Sequence, residues 1–195
     1  RMVWRYDPVL FNERYPAEYH FRAFEAIAEG ICGCTDKVVI SFLDCYGKTK
    51  RNMRGIPLET PDEEIMKRTG ERFVKTAEKY GMTVESCAET VDLSEVGVRH
   101  GSCVDPAMIE RILGVPVRVK KDKNQRPECG CVESVETGAY DTCLCGCKYC
   151  YANDSEGAVM RRRAEYDVHA PLLCGRVEEG DRITVRRTSR ILTGE

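Results

Sequence analysis

No stretch of this chain approaches the ~20 apolar residues that a membrane-spanning helix needs, and its first residues, RMVWRYDPVLF, hold neither a hydrophobic signal core nor a small-residue cleavage site. A cytoplasmic protein without membrane attachment is therefore expected. Net charge is equally scant: 30 Lys and Arg stand against 32 Asp and Glu, a balance of -2, which excludes a general electrostatic affinity for nucleic acid. There is no internal repeat and no low-complexity segment. Histidine is scarce too. The three present, His20, His100 and His169, show no partner pattern and read as ordinary residues.

What the chain has instead is sulfur: 12 cysteines in 195 residues. That length buries a sizeable core without covalent staples. In a reducing compartment disulfides are rare, so closely spaced cysteines read first as metal ligands or redox thiols.

The pattern along the chain predicts alternating strands and helices. Residues 2–7 read as a strand stopped by Pro8, and residues 16–30 as a helix ending on a glycine. Residues 38–44 (VVISFLD) form a continuous apolar run, as in a parallel strand buried on both faces. Residues 61–80 carry a stripe of Ile65, Thr69, Phe73, Ala77 and Tyr80, with Pro61 and three acidic residues at the start and Gly81 at the end. A third strand is predicted over residues 82–87, and a short helix from Pro106 to a stop at Gly114. Such alternation predicts an α/β fold with right-handed crossovers, a partial (β/α) barrel of parallel strands. A closed barrel takes about 250 residues, so the chain reads as the C-terminal portion of something longer. Three regions are expected: a βα-repeat partial barrel over 1–114, a cysteine-rich cluster region over 115–175, and a polar hairpin or tail over 176–195 turning at Glu179 and Gly180. Within the second, VPVRVKK reads as a strand and residues 155–166 as a helix.

The densest sulfur lies in YDTCLCGCKYCYAN, where Cys143, Cys147 and Cys150 are spaced C-x3-C-x2-C with Tyr149 before the last. Three thiolates on a short loop can hold three irons of a [4Fe-4S] cube and leave the fourth open. The spacing resembles that of the radical S-adenosylmethionine superfamily. The resemblance implies that Cys143, Cys147 and Cys150 bind the cluster, that Tyr149 lies near the adenine of S-adenosyl-L-methionine, and that reductive cleavage of this cofactor gives a 5′-deoxyadenosyl radical. Cys145 adds a fourth thiol. If it bound the fourth iron, or if the set held Zn²⁺, the protein would be a non-enzymatic metal-binding protein with a closed site.

Cys87, at the end of the third predicted strand, forms a second candidate set with Cys103, Cys129 and Cys131, able to hold a further [4Fe-4S] cluster or a structural Zn²⁺. The scattered Cys32, Cys34, Cys45 and Cys174 read as small buried hydrophobes. Arg5, Asp7, Asp44 and Glu85 fall near strand ends, where parallel α/β folds gather catalytic groups, and are candidates for binding substrate. KKDKNQR and the run Arg161, Arg162 and Arg163 suit either a solvated face or phosphate contacts. The neutral overall balance leaves nucleic acid the less favoured partner.

WRYDP (4–8), VISF (39–42), KKDKNQR (120–126), CGCVES (129–134), GAYDTC and CKYCYAN together resemble an uncharacterised bacterial and archaeal family, a domain of unknown function described at times as spore photoproduct lyase-like. The likeness covers roughly residues 2–175. It implies a further N-terminal portion or a companion subunit, and a barrel circularly permuted relative to radical S-adenosylmethionine enzymes, since the cluster loop falls late in the chain. It also implies an electron donor such as a ferredoxin or flavodoxin. It names no substrate.

Overall fold

The computed structural model describes residues 2–45 and 47–185. These fall into two compact units, one of residues 2–43 and 57–134, the other of residues 44–56 and 135–185. The expected cluster region, 115–175, is thus shared between them at residue 134.

The first unit holds four parallel strands in the order β1 (Trp4–Val9), β2 (Lys37–Phe42), β3 (Thr83–Ser86) and β4 (Arg99–His100). Between them run α1 (Ala17–Gly30) and α3 (Glu63–Lys79), and after them α4 (Pro106–Leu113). The strands follow chain order, so right-handed crossovers put their helices on one face. Both helices pack into a common core there. Phe24 of α1 and Phe73 of α3 are fully buried with rings stacked at 4.2 Å, in one core with Val38, Ile40, Phe42 and Val84 of the sheet and Val98 just before β4. Tyr6 packs edge-on against Phe73, and the tilted Trp4 ring lies 4.6 Å from Phe24. β2 is buried on both faces, as its apolar run predicts.

Local chemistry sets the helix ends. Asp62 caps α3 by accepting the Ile65 N–H at 2.8 Å, so Pro61, expected in the first turn, lies just ahead of the helix; Asp105 caps α4 through Ala107 at 2.9 Å. Pro8 does not stop β1. The strand continues to Val9 because it is the sheet's edge, where a missing N–H is tolerated, with a register shift between Tyr6 and Val9. β1 and β4 are the two edges, and the four strands form an open sheet rather than a closed barrel among the described residues.

VPVRVKK forms no continuous strand among the described residues, only bridge positions at Val117 and Lys121. Lys121 pairs with Val132, while Asp122 N–H donates to the Cys131 carbonyl at 3.0 Å and Glu133 N–H to that of Lys120 at 2.8 Å. β4 escaped prediction because two residues carry no periodicity.

The second unit contains α2 (Gly47–Asn52), α5 (Glu156–Ala164) and the thiol loop between residues 141 and 154. Ser155 caps α5 by accepting from Ala158 at 3.1 Å, as the predicted helix start requires. The expected turn at Glu179 and Gly180 is present, closed by Asp181 N–H on the Glu178 carbonyl at 3.0 Å. Residues 176–185 form no strand, and the rest of the expected hairpin, residues 186–195, lies outside the described residues. No helix among the described residues is long and apolar enough to cross a membrane.

Candidate functional site

Alternation along the strands sends one set of side chains to the helix-covered face and the other to the opposite face. Arg5, Val39, Glu85 and Arg99 stand in register on that opposite face. Its centre is charged. The Lys37 side chain, only 5% exposed, brings its ammonium to Glu85 at 2.8 Å and Asp105 at 3.0 Å. Burial works against its charge, but the two carboxylates outweigh this and raise its pKa. Lys37 went unnoticed in the sequence because it borders the apolar run. Of the predicted catalytic residues, Glu85 is engaged by Lys37, and Asp7 pairs with Arg5. Asp44 is exposed and belongs to the second unit.

At the C-terminal end of this sheet the four dispersed cysteines meet. Cys87 follows β3 directly, and its sulfur lies 2.9 Å from that of Cys103, which follows β4. Arg5 reaches across to the Cys103 sulfur at 2.8 Å. The Cys131 sulfur accepts the backbone N–H of Cys103 at 3.1 Å and of Val104 at 3.4 Å; burial and its interaction with Cys129 favour its protonated thiol. Cys129 and Cys131 are buried with Ala88, and Cys87 and Val104 pack on them. Donation from Cys87 holds Cys103 toward thiolate, against its burial and with help from Arg5; the same bond and burial push the Cys87 thiol up. For Arg5, burial disfavours charge, yet its bonds to Asp7 and Cys103 prevail and raise its pKa.

Two glycines allow this approach. A Cβ on Gly101 would stand 2.7 Å from that of Glu85, and one on Gly130 would stand 2.9 Å from the Ser102 hydroxyl and 3.2 Å from the Gly101 carbonyl. Side chains there would push the β4 end and the Cys129–Gly130–Cys131 turn off the sheet edge.

The thiol loop of the second unit is built differently. Asp141, in the left-handed region at φ 61°, donates its N–H to the Ala152 carbonyl at 3.0 Å while its carboxylate accepts from Asp154 N–H. Asn153 Nδ2 donates to the Cys143 carbonyl at 2.7 Å, and Cys150 N–H to the Cys147 carbonyl at 3.0 Å. α2 braces the outside: Lys48 bonds the Tyr151 carbonyl and Asp154, and Thr49 the Tyr149 carbonyl at 3.3 Å. Gly146 turns the chain at φ 65°. The result is an open cleft of about 490 Å³ lined by Cys143, Cys147 and Cys150 with Asn153, Asp154 and Met160 among others; Cys145 is not in its lining. Cys145 instead donates to the Cys143 sulfur, through its N–H and its thiol, and lowers the Cys143 pKa. The Asn153 Oδ1 is buried and accepts no hydrogen bond from the described residues.

Among the described residues no three His, Cys, Asp or Glu side chains already surround a point as metal ligands do. Cys32, Cys34 and Cys45 are exposed and Cys174 half-buried, so the buried-hydrophobe reading of these four does not hold; the first two sit in the turn that ends α1, outside the core. His20 is buried, between the Tyr6 hydroxyl at 3.0 Å and the Leu10 carbonyl at 2.8 Å; His100 and His169 are exposed. The lysines and Arg126 of KKDKNQR are exposed around a buried Asp122, and Arg161, Arg162 and Arg163 are exposed on α5.

No curated protein matches the chain, and no solved structure does. One family model does match, over residues 1–152, a span that contains both cysteine groupings, and the chain belongs to that family, Domain of unknown function (DUF1848).

Proposed function

We propose that the chain is an iron–sulfur enzyme of the radical S-adenosylmethionine type, in which Cys143, Cys147 and Cys150 hold a [4Fe-4S] cluster with one iron left to the cofactor. The observation that carries this reading is that these three thiols line one cleft from which Cys145 is left out. Such a cluster, when bound, supplies reductive cleavage of S-adenosyl-L-methionine and hence hydrogen abstraction from a substrate. The donor set suits it, since soft thiolates on a short loop are iron–sulfur ligands.

The rest falls to the chain's own side chains. Lys48, Thr49, Asp141 and Asn153 fix the loop so that its sulfurs need little reorganisation. Asn153 lines the same cleft and ties its wall to the Cys143 carbonyl. The Tyr149 backbone is held by Thr49, which suits a ring placed against an adenine. The four parallel strands in chain order, with helices on one face, are read as an arc of a (β/α) barrel whose cluster loop follows its strands. Arg5, Asp7, Asp44 and Glu85 are assigned to the substrate side, a small ferredoxin or flavodoxin to electron delivery, and the remaining strands to a further segment or companion subunit. Nucleic acid is not the favoured substrate.

Anaerobic reconstitution with iron and sulfide tests the reading. A brown chain is expected whose loop cluster survives Cys145→Ala, disappears in Cys147→Ala, and yields 5′-deoxyadenosine from S-adenosyl-L-methionine on reduction. A cluster lost in Cys145→Ala, or a loop that takes only zinc, overturns it.

A further inference from the structure

Apart from the loop, the four thiols at the sheet edge have a geometry of their own. We propose that Cys87, Cys103, Cys129 and Cys131 are a closed tetrathiolate site for a single tetrahedral soft cation, Zn²⁺, rather than the seat of a second cubane.

Size is the first argument. A zinc–sulfur bond of about 2.3 Å places the four sulfurs of a tetrahedron about 3.8 Å apart. Here the sulfurs of Cys87 and Cys103 are 2.9 Å apart, and the Cys131 sulfur lies 3.1 Å from the Cys103 backbone nitrogen. Cys129, two residues before Cys131, is buried in the same small cluster. In a cubane each thiolate binds its own iron, and the sulfur core holds the four apart. The Cys87–Cys103 pair needs to open only by about 0.9 Å to reach the tetrahedral spacing. Exchange of their shared proton for an ion provides the drive.

Charge is the second. The binding step is M²⁺ plus four thiols giving a tetrathiolate complex of charge -2 and four protons, with no change of oxidation state. A doubly negative centre beside a sheet needs compensation. Arg5 donates to Cys103 at 2.8 Å, and the Cys103 and Val104 backbone N–H groups point at Cys131. Arg5 turns its other nitrogens to Asp7, and this one, with the two backbone N–H groups, is left for sulfur.

Closure is the third. Cys129 and Cys131 are buried, and the set offers four thiols, enough to fill a tetrahedron with no open position, as in structural rather than catalytic zinc sites. The ligands come from three segments: the end of β3, the end of β4 and the Cys129–Gly130–Cys131 turn. That turn rides on the hairpin pairing of Lys121 with Val132, and the apolar cluster beneath it holds just Ala88 and the cysteines, with Val104. Apolar burial alone is a weak clasp there. One ion bonded to all three segments fastens residues 102–134 over the charged face of the sheet.

The test uses the full chain carrying Cys143→Ala, Cys147→Ala and Cys150→Ala, so that loss of the loop cluster and loss of this site are read separately. Purified anaerobically, it should hold one zinc per chain and no acid-labile sulfide, with an X-ray absorption shell of four sulfurs at about 2.3 Å. Stripping the ion with a chelator should speed alkylation of Cys129 and Cys131 at least ~10-fold as the clasp releases. Adding Cys131→Ala should abolish stoichiometric zinc. Should that variant fail to fold, cobalt substitution of the parent should still give the intense thiolate-to-metal bands of a tetrahedral tetrathiolate. Iron with sulfide, no bound metal, a shell of two sulfurs or fewer, or a Cys87–Cys103 disulfide found by mass spectrometry each overturns the proposal.

Discussion

Two groups of four cysteines differ here in how they are assembled. Those at 143, 145, 147 and 150 sit within eight positions on a loop, exposed apart from the half-buried Cys150, and are braced from α2 by hydrogen bonds to backbone carbonyls. Those at 87, 103, 129 and 131 are spread over 45 positions and meet because two parallel strands end side by side and a tight turn is pressed onto them. A loop that keeps thiols open to solvent suits a site that must admit a ligand. A sheet edge that buries two of them suits one that need not.

The largest expected effect tests this contrast directly. In the reduced chain lacking iron, the exposed Cys147 should react quickly with iodoacetamide. Cys129 and Cys131 should react at least ~1,000-fold more slowly, since exposing them requires an opening costing ~4 kcal/mol or more. Peptide mass spectrometry of timed samples reads both sets in one experiment. Equal rates would mean that the buried set is no more enclosed than the loop.

A smaller effect separates the supports of the two groups. Phe73 is fully buried and stacked on Phe24 behind the sheet. Phe73→Ala should cost about 3–5 kcal/mol, lowering Tm by roughly 10 °C. Val159 is the buried residue of α5, and Val159→Ala removes about two methylene equivalents, near 1.6 kcal/mol. A thermal scan in which the two variants melted together would show that the thiol loop rests on as large a core as the sheet does.

The same contrast explains what the sequence disclosed. The helices showed themselves through capping aspartates, a stop glycine and the stripe from Ile65 to Tyr80, because those signals act within a few residues. The C-x3-C-x2-C spacing is likewise local. Strand ends also pointed to Cys87 as part of a set, but the register that sets Arg5 opposite Val39 and Glu85, and so within reach of Cys103, depends on strand pairing over nearly a hundred positions. No local pattern reports that. Lys37 was hidden for the same reason: a lysine beside an apolar run is unremarkable until two distant carboxylates close on it. Pro8 misled because its effect turns on whether its strand is an edge.

The smallest effect lies on the helix-covered side of the sheet and leaves both thiol groups untouched, so it serves as a control on where pH sensitivity resides. A carbonyl only accepts, so the His20 Nε2 carries the proton donated to Leu10, and Nδ1 receives the Tyr6 hydroxyl. Around the ring stand Phe11 and Tyr19, with no carboxylate among its ring and hydrogen-bond contacts. Burial lowers its pKa below the usual 6.5, with the Leu10 bond opposing. Tyr6 is kept neutral, pushed up to about 12 by burial and then by Tyr19. The unfolded chain therefore binds a proton that the folded one refuses. The contribution of His20 to stability is intact above pH 6.5 and is lost as pH falls from there through the folded value. A single proton limits the slope to about 1.4 kcal/mol per pH unit. His20→Gln, which keeps a donor and an acceptor but does not titrate, should flatten urea-derived stability between pH 7 and pH 5, measured about the 6.5 reference. If the variant keeps the full acid slope, the sensitivity belongs elsewhere, and the thiol groups are the next place to look.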